Sequence, residues 1–239
     1  MTAWATAVPS RDELHEAKRI ALLREAASAF TRKGFHAASL DDIAQKLGVT
    51  KAALYHYFPS KHALLRECFA RALEVGFEGL AEAERQGGSG RERLNNALRF
   101  YLKEMIDELS CCVVLTEENA LLPNDYAELL QVRDRFENAL RELIRAGIAD
   151  GSIVPCDPKL AVFTILGAVH WVSKWFNQSG PWSAEAVSQA LTDLLDRMVS
   201  ATPAAALPTD IAKMGKSGVR SSKQKKNALP KAGPQSGRG

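Results

Sequence analysis

Cysteine is scarce in this 239-residue chain: Cys68, Cys111, Cys112 and Cys156 are the whole supply. None forms a Cys-x-x-Cys pair or stands at metal-ligand spacing to the five histidines. That pattern leaves out zinc ribbons, redox dithiols and disulfide scaffolds. The N-terminus, MTAWATAVPSRDELHE, lacks the basic-then-apolar run of a secretory signal. Long apolar runs are missing too. The longest, Leu160–Val172, is interrupted by Thr164, Gly167 and His170 and is too short to span a bilayer. It predicts a buried core helix. These absences together predict a cytoplasmic protein with free thiols and no membrane partner. Strand-type alternation is also missing, as are a nucleophile elbow, a phosphate-binding loop and a metal-binding motif. No catalytic residue, metal site or cofactor is expected, and the predicted class is all-α.

What is present is unevenly distributed. Residues 1–66 carry a net charge of +4, residues 67–202 a net of −8, and residues 203–239 a net of +7. A basic head, an acidic body and a basic tail predict that the ends meet a polyanion while the middle does other work. The tail, rich in Gly, Pro, Ser and Lys, has too little apolar residue to offset the entropy of ordering, and 203–239 is expected to be disordered. Lys223, Lys225 and Lys226 in it are either a source of nonspecific phosphate attraction or inert.

Helical periodicity runs through nearly all the rest. Ile20, Leu22, Leu23, Ala26, Ala27 and Phe30 recur at three- and four-residue steps, and Gly34 closes that helix. Residues 1–17 before it are expected to form a flexible arm. Ser39-Leu-Asp-Asp42 matches a capping box and opens a short helix to Leu47. Gly48-Val49 makes a turn, Thr50 caps a second short helix to Phe58, Pro59 stops it, and Ser60 starts a longer one towards Ala83. Beyond the GGSG loop at 87–90, helices are expected at 91–109, around 111–121, from Pro123 to about Asp150, at 158–176, and from Ser183 with Val187, Leu191, Leu194, Leu195 and Met198 on one side.

Two short helices joined by about three residues are the layout of a helix-turn-helix, whose second helix lies in the major groove. Ile43, Ala44, Leu47, Val49, Leu54 and Phe58 would fix the pair, leaving Lys51, Tyr55, His56 and Tyr57 on or near the exposed side. A plain packing role for Tyr55 and Tyr57 is the competing reading. A metal site on His56 and His62 is disfavoured by the Pro59 break and the lack of an acidic or Cys partner.

The run Leu23-Arg-Glu-Ala-Ala-Ser-Ala-Phe30, with Gly34-Phe35, Ser39, Ile43-Ala44, Gly48-Val49-Thr50-Lys51, Leu54-Tyr55-His56-Tyr57-Phe58 and Ser60-Lys61, resembles the TetR family of transcriptional regulators over residues 18–66. Ala52 stands where that family often has glycine. The resemblance implies a DNA-binding domain at 18–66 and a ligand-binding and dimerisation domain at 67–202. It implies phosphate contacts from Ser39, Tyr57 and Lys61, and groove contacts from Lys51 and Tyr55, with Thr50 and His56 at the same face. Phosphate contacts set register while base contacts select sequence. No Arg, Asn or Gln lies on 51–58, so part of the selection is expected to come from DNA shape.

Family members are dimers, and the resemblance implies that the last two helices pair with their mates in a four-helix bundle over a near-palindromic operator. Gly167–Phe176 and the following Trp182 carry three of the four tryptophans and resemble members responsive to acyl-CoA thioesters of lipid or steroid breakdown. Phe100, Phe136, His170, Trp171, Lys174 and Trp175 are the candidate ligand contacts, with Arg133, Arg141 and Arg145 as further partners for an anion. Core or interface packing is the competing role for the tryptophans. A redox switch at Cys111-Cys112 is disfavoured because no basic residue adjoins them. The expected function is a repressor released from its operator by a largely apolar effector. The alternative is a ligand-independent DNA-organising protein of the same fold.

Overall fold

The computed structural model describes residues 10–107, 117–177 and 179–201. Among these it is all-α. The helices are α1 (Arg11–Ala37), α2 (Leu40–Lys46), α3 (Lys51–Tyr57), α4 (Lys61–Gln86), α5 (Gly90–Asp107), α6 (Pro123–Ala149), α7 (Pro158–Trp175) and α8 (Ala184–Val199), with a 3-10 turn at Glu118–Ala120. No helix among the described residues is long and apolar enough to cross a membrane. Cys111, Cys112 and the tail at 203–239 lie outside the described residues, as does most of the helix expected around 111–121.

One expectation needs correction at the N-terminus. Residues 11–17, read as arm, are helical. Ser10 and Glu13 form a full capping box: the Glu13 N–H donates to Ser10 Oγ at 3.1 Å and the Ser10 N–H to Glu13 Oε2 at 2.6 Å. Residues 11–18 are all exposed, so these two turns have no apolar period to reveal them, and the cap starts the helix instead. Ser39 behaves differently. Its oxygen accepts from the N–H groups of Asp41 and Asp42, while the Asp42 carboxylate pairs with Lys33 at 2.6 Å rather than reaching back.

Two hydrophobic clusters organise the chain. The smaller holds α1, α2 and α3 together around Phe30, Ile43, Leu54 and Phe58, with Leu64, Leu65 and Phe69 of α4. Leu47 is half-buried and Val49 is 39% exposed, so Val49 is not part of it. The larger packs α5, α6, α7 and α8 around Leu98, Leu102, Met105, Phe136, Leu140, Ile144, Val162 and Val169. Leu121 and Leu129, from the body, are buried in the smaller cluster. α8 closes the far end, where Arg91 donates two hydrogen bonds to Asp196 at 2.6 and 2.5 Å and Asn95 donates a third.

α4 and α6 cross closely at Gly76. A Cβ there would lie 2.7 Å from Phe136 Cε2, and that ring is buried on all sides. Gly76→Ala gains about 1 kcal/mol of helix propensity. Overpacking offsets it by about 1–3 kcal/mol, since a buried ring cannot yield cheaply. The expected result is a lower denaturation midpoint in urea with an unchanged slope.

Candidate nucleic-acid interface and ligand cavity

α3 presents its residues as its caps dictate. Thr50 Oγ1 accepts from the Ala53 N–H at 3.1 Å, and the Phe58 N–H bonds back to the Leu54 carbonyl. Leu54 and Phe58 are buried, which turns Lys51, Tyr55 and His56 outwards; Tyr55 is 42% exposed. Gly48, at φ 66°, makes the left-handed turn that sets α3 across α2. Lys51 pairs with Asp41 at 2.8 Å, and that carboxylate raises the lysine pKa. Ser39, half-buried, uses its oxygen as a cap and keeps its O–H to donate.

Tyr57 is half-buried and stacks on His15, with centroids 4.6 Å apart and 28° between planes. His56 meets both rings edge-on. Lys61 donates to the His36 carbonyl at 3.2 Å and lies over the Phe35 ring at 4.6 Å; burial lowers its pKa. The structure therefore gathers Thr50, Lys51, Tyr55, His56 and Tyr57 on or beside one short helix, while Ser39 caps α2 and Lys61 opens α4 against the His36 carbonyl. His15 was missed in the sequence because it belonged to the supposed arm. The Ser10-x-x-Glu13 pattern was the signal that could have found it. Among the described residues, no group of three or more His, Cys, Asp or Glu is assembled to hold a metal.

The candidate ligand contacts separate. Phe136 and His170 meet at a small cavity in the body, of about 40 Å³, with Phe69, Leu73, Tyr101, Leu129, Arg133 and Leu166 among its walls. Tyr101 Oη and His170 Nε2 are 3.3 Å apart. Phe100 is half-buried against Gly79 instead. Trp171 and Trp175 are 64% and 43% exposed, and Lys174 is exposed beside them. They face away from the cavity, and Trp175 packs edge-on against Trp182. Arg133 reaches the cavity. Arg141 pairs with Glu137 and Arg145 with Glu142. Tyr101, Leu129 and Leu166 went unnoticed because each reads simply as core.

A larger groove of about 610 Å³ adjoins the cavity, sharing Phe69, Leu73 and Leu129, and carries Arg19, Arg66, Arg71 and Arg135. Three of those arginines are already paired: Arg19 with Glu67, Arg66 with Asp125, and Arg71 with Glu74 and Glu78.

These residues and this topology match known proteins. The family model for bacterial regulatory proteins of the tetR family matches residues 22–68, and one for the Tetracyclin repressor-like C-terminal domain matches residues 87–199. The solved TetR family transcriptional regulator PfmR from Thermus thermophilus is 33% identical, with a TM-score of 0.64, covering 74% of this chain and 97% of that one. The chain belongs to the TetR family of transcriptional regulators. It is a DNA-binding regulator and not an enzyme. It is also 28% identical to the HTH-type transcriptional repressor KstR2 of Mycolicibacterium smegmatis over 72% of this chain and 85% of that protein. AibR, solved in complex with isovaleryl coenzyme A and operator DNA, is 25% identical with a TM-score of 0.63, covering 77% of this chain and 98% of that one.

Desolvation, and then the nearby Arg133 charge, push the His170 pKa down from 6.5 to about 4. The folded protein thus refuses a proton that the unfolded chain accepts near pH 6.5. Stability contributed by neutral His170 is present above that pH and drains away as pH falls towards 4. NMR of the imidazole should show no protonation at pH 5.5, and His170→Gln should weaken the acid-induced loss of stability between pH 6.5 and 4.

Proposed function

We propose that this protein is a dimeric repressor that leaves a near-palindromic operator when a largely apolar effector, an acyl-CoA thioester, enters its body. The observation that carries the reading is the position of α6: it walls the apolar cavity at Phe136, and its N-terminal part puts Leu129, with Leu121 just before the helix, inside the core of the DNA-binding head. An effector that moves α6 therefore acts on the head directly. Ligand sites are generally about 300–1,000 Å³, so a cavity of about 40 Å³ has to widen to admit an acyl chain. The adjoining groove offers room for a larger carrier; its four arginines are matched there by Glu67, Glu74, Asp125 and Glu128, so a carrier's phosphates would have to exchange for those carboxylates. Likeness to KstR2 supports the repressor role, and likeness to AibR, solved with isovaleryl coenzyme A, supports this class of ligand.

In this reading Lys51 and Tyr55 enter the groove, Ser39, Tyr57 and Lys61 hold phosphates, and Thr50 and His56 flank them. A lysine held to a phosphate releases about one counterion. Lys61→Ala should therefore weaken binding to all sequences and reduce the salt slope by about 1, whereas Tyr55→Ala should relax discrimination between operators. Filter-binding titrations over a range of salt concentrations distinguish the two.

The dimer rests on a second observation. Leu160, Phe163, Trp171 and Trp175 of α7, with Leu194 and Met198 of α8, are large apolar side chains exposed on the outside of the body. A monomer seldom leaves so much apolar surface on adjacent helices in water, and a second copy of the same face covers it. Trp171→Glu should give a monomer by analytical ultracentrifugation and lose tight operator binding while keeping its helical circular dichroism.

Footprinting on DNA upstream of the gene, with and without a panel of free acids and their CoA thioesters, tests the whole reading. Symmetric protection that a thioester removes supports it. Dispersed binding insensitive to every compound supports a DNA-organising role instead.

A further inference from the structure

Gly34 interrupts α1 in a non-helical conformation, φ 76° and ψ 158°. The break leaves the Phe35 N–H without its helical acceptor, as at any helix start. A residue distant in sequence supplies one: Phe35 N–H donates to Glu117 Oε2 at 2.9 Å. Phe35 is a junction in the head. Its ring is buried against Phe30 and His62, Lys61 lies over it, and Lys61 also holds the next carbonyl, that of His36.

Glu117 immediately precedes the 3-10 turn at Glu118–Ala120, and Glu118 accepts from Arg133 Nη1 at 3.0 Å. Arg133 reaches the other way to the cavity, where its charge is felt by His170. Its Nε is buried without a hydrogen-bond acceptor. Glu137, 3.9 Å away, is already held by Arg141 at 2.8 Å. Arg133 is therefore under-satisfied at the cavity side and tied on the other by a pair in which both side chains are about 30% exposed. Such a pair is easily exchanged.

We infer that Arg133, Glu118 and Glu117 form a relay from the cavity to the head. An acceptor group of an effector, a carboxylate or thioester carbonyl, takes Arg133 from Glu118. The turn then shifts, Glu117 lets go of the Phe35 N–H, and Lys61 loses its fixed place beside α3. Arg133 and Glu117 are positioning residues in this scheme; neither touches DNA. The relay rests on the repressor reading above, but its test needs no effector.

Amide hydrogen exchange at Phe35 is measured on the full-length protein, together with affinity for a duplex selected in vitro with the wild type. Arg133→Gln removes the pair to Glu118, and Glu117→Ala removes the peg. Each is expected to speed exchange at Phe35 by about tenfold or more. Each should also weaken operator binding by a factor between about 5 and 150, the usual range of coupling between sites. The double variant should be no weaker than Glu117→Ala alone, because both changes act through one contact. Global melting reports whether each variant folds. Glu118→Ala breaks the same pair from its other end and replaces Arg133→Gln if that variant does not fold. Wild-type exchange at Phe35 in both pair-breaking variants overturns the relay, as does full additivity in the double variant. The exchange measurement stands even if the protein proves not to be a ligand-released repressor.

Discussion

The structure depends on two helices that each belong to two cores. α4 gives Leu64, Leu65 and Phe69 to the head and Ala72 and Val75 to the body. α6 gives Leu129 to the head and Phe136, Leu140 and Ile144 to the body. Both are long, so a displacement at one end is carried to the other rather than absorbed. The crossing at Gly76 and Phe136 presses them together midway. Protein interiors are packed nearly as densely as crystals and do not deform gradually. Space for a ligand beside Phe136 has to come from relative movement of these helices, and that movement cannot leave the head where it was.

The polar layer around this seam serves position more than stability. Arg19–Glu67, Arg66–Asp125 and Arg133–Glu118 are partly exposed, and pairs of that kind contribute little net stability. Their value is that they can change partners. The head shows the same economy around α2, where Lys33 and Lys51 lean on Asp42 and Asp41 in exposed pairs.

The head was legible in the sequence because its helices are short and punctuated. Ser39, Thr50, Pro59 and Ser60 mark the ends, and two turns of amphipathic pattern admit one orientation. The first turns of α1 were hidden because a fully exposed stretch has no hydrophobic period, although Ser10 and Glu13 spelled its cap. α7 presents the opposite difficulty. It is apolar nearly all round, so pattern alone does not say which side looks inward. His170 and Trp171 were grouped as ligand contacts, yet one step along a helix is about 100°, enough to leave the first at the cavity and the second exposed. Leu194 and Leu195 divide likewise: the first is 52% exposed and the second 6%. Glu117 was beyond any local reading, since its partner Phe35 is 82 residues away.

That division on α7 bears on how the two halves of the function are joined. Leu166 and His170 wall the cavity, while Phe163, Trp171 and Trp175 form the outer apolar face. Cavity and outer face are therefore two sides of one helix, about 10 Å through with its side chains. A ligand that displaces Leu166 also moves Trp171, so substitutions on α7 report a mixture of ligand fit and surface geometry. α6 separates the two. Arg133 faces the cavity and Leu129 the head core, while the exposed apolar residues of the outer face come from α7 and α8. In the proposed reading, the path from ligand to DNA is consequently cleanest along α6, and any contribution from the outer face is what remains once that path has been cut.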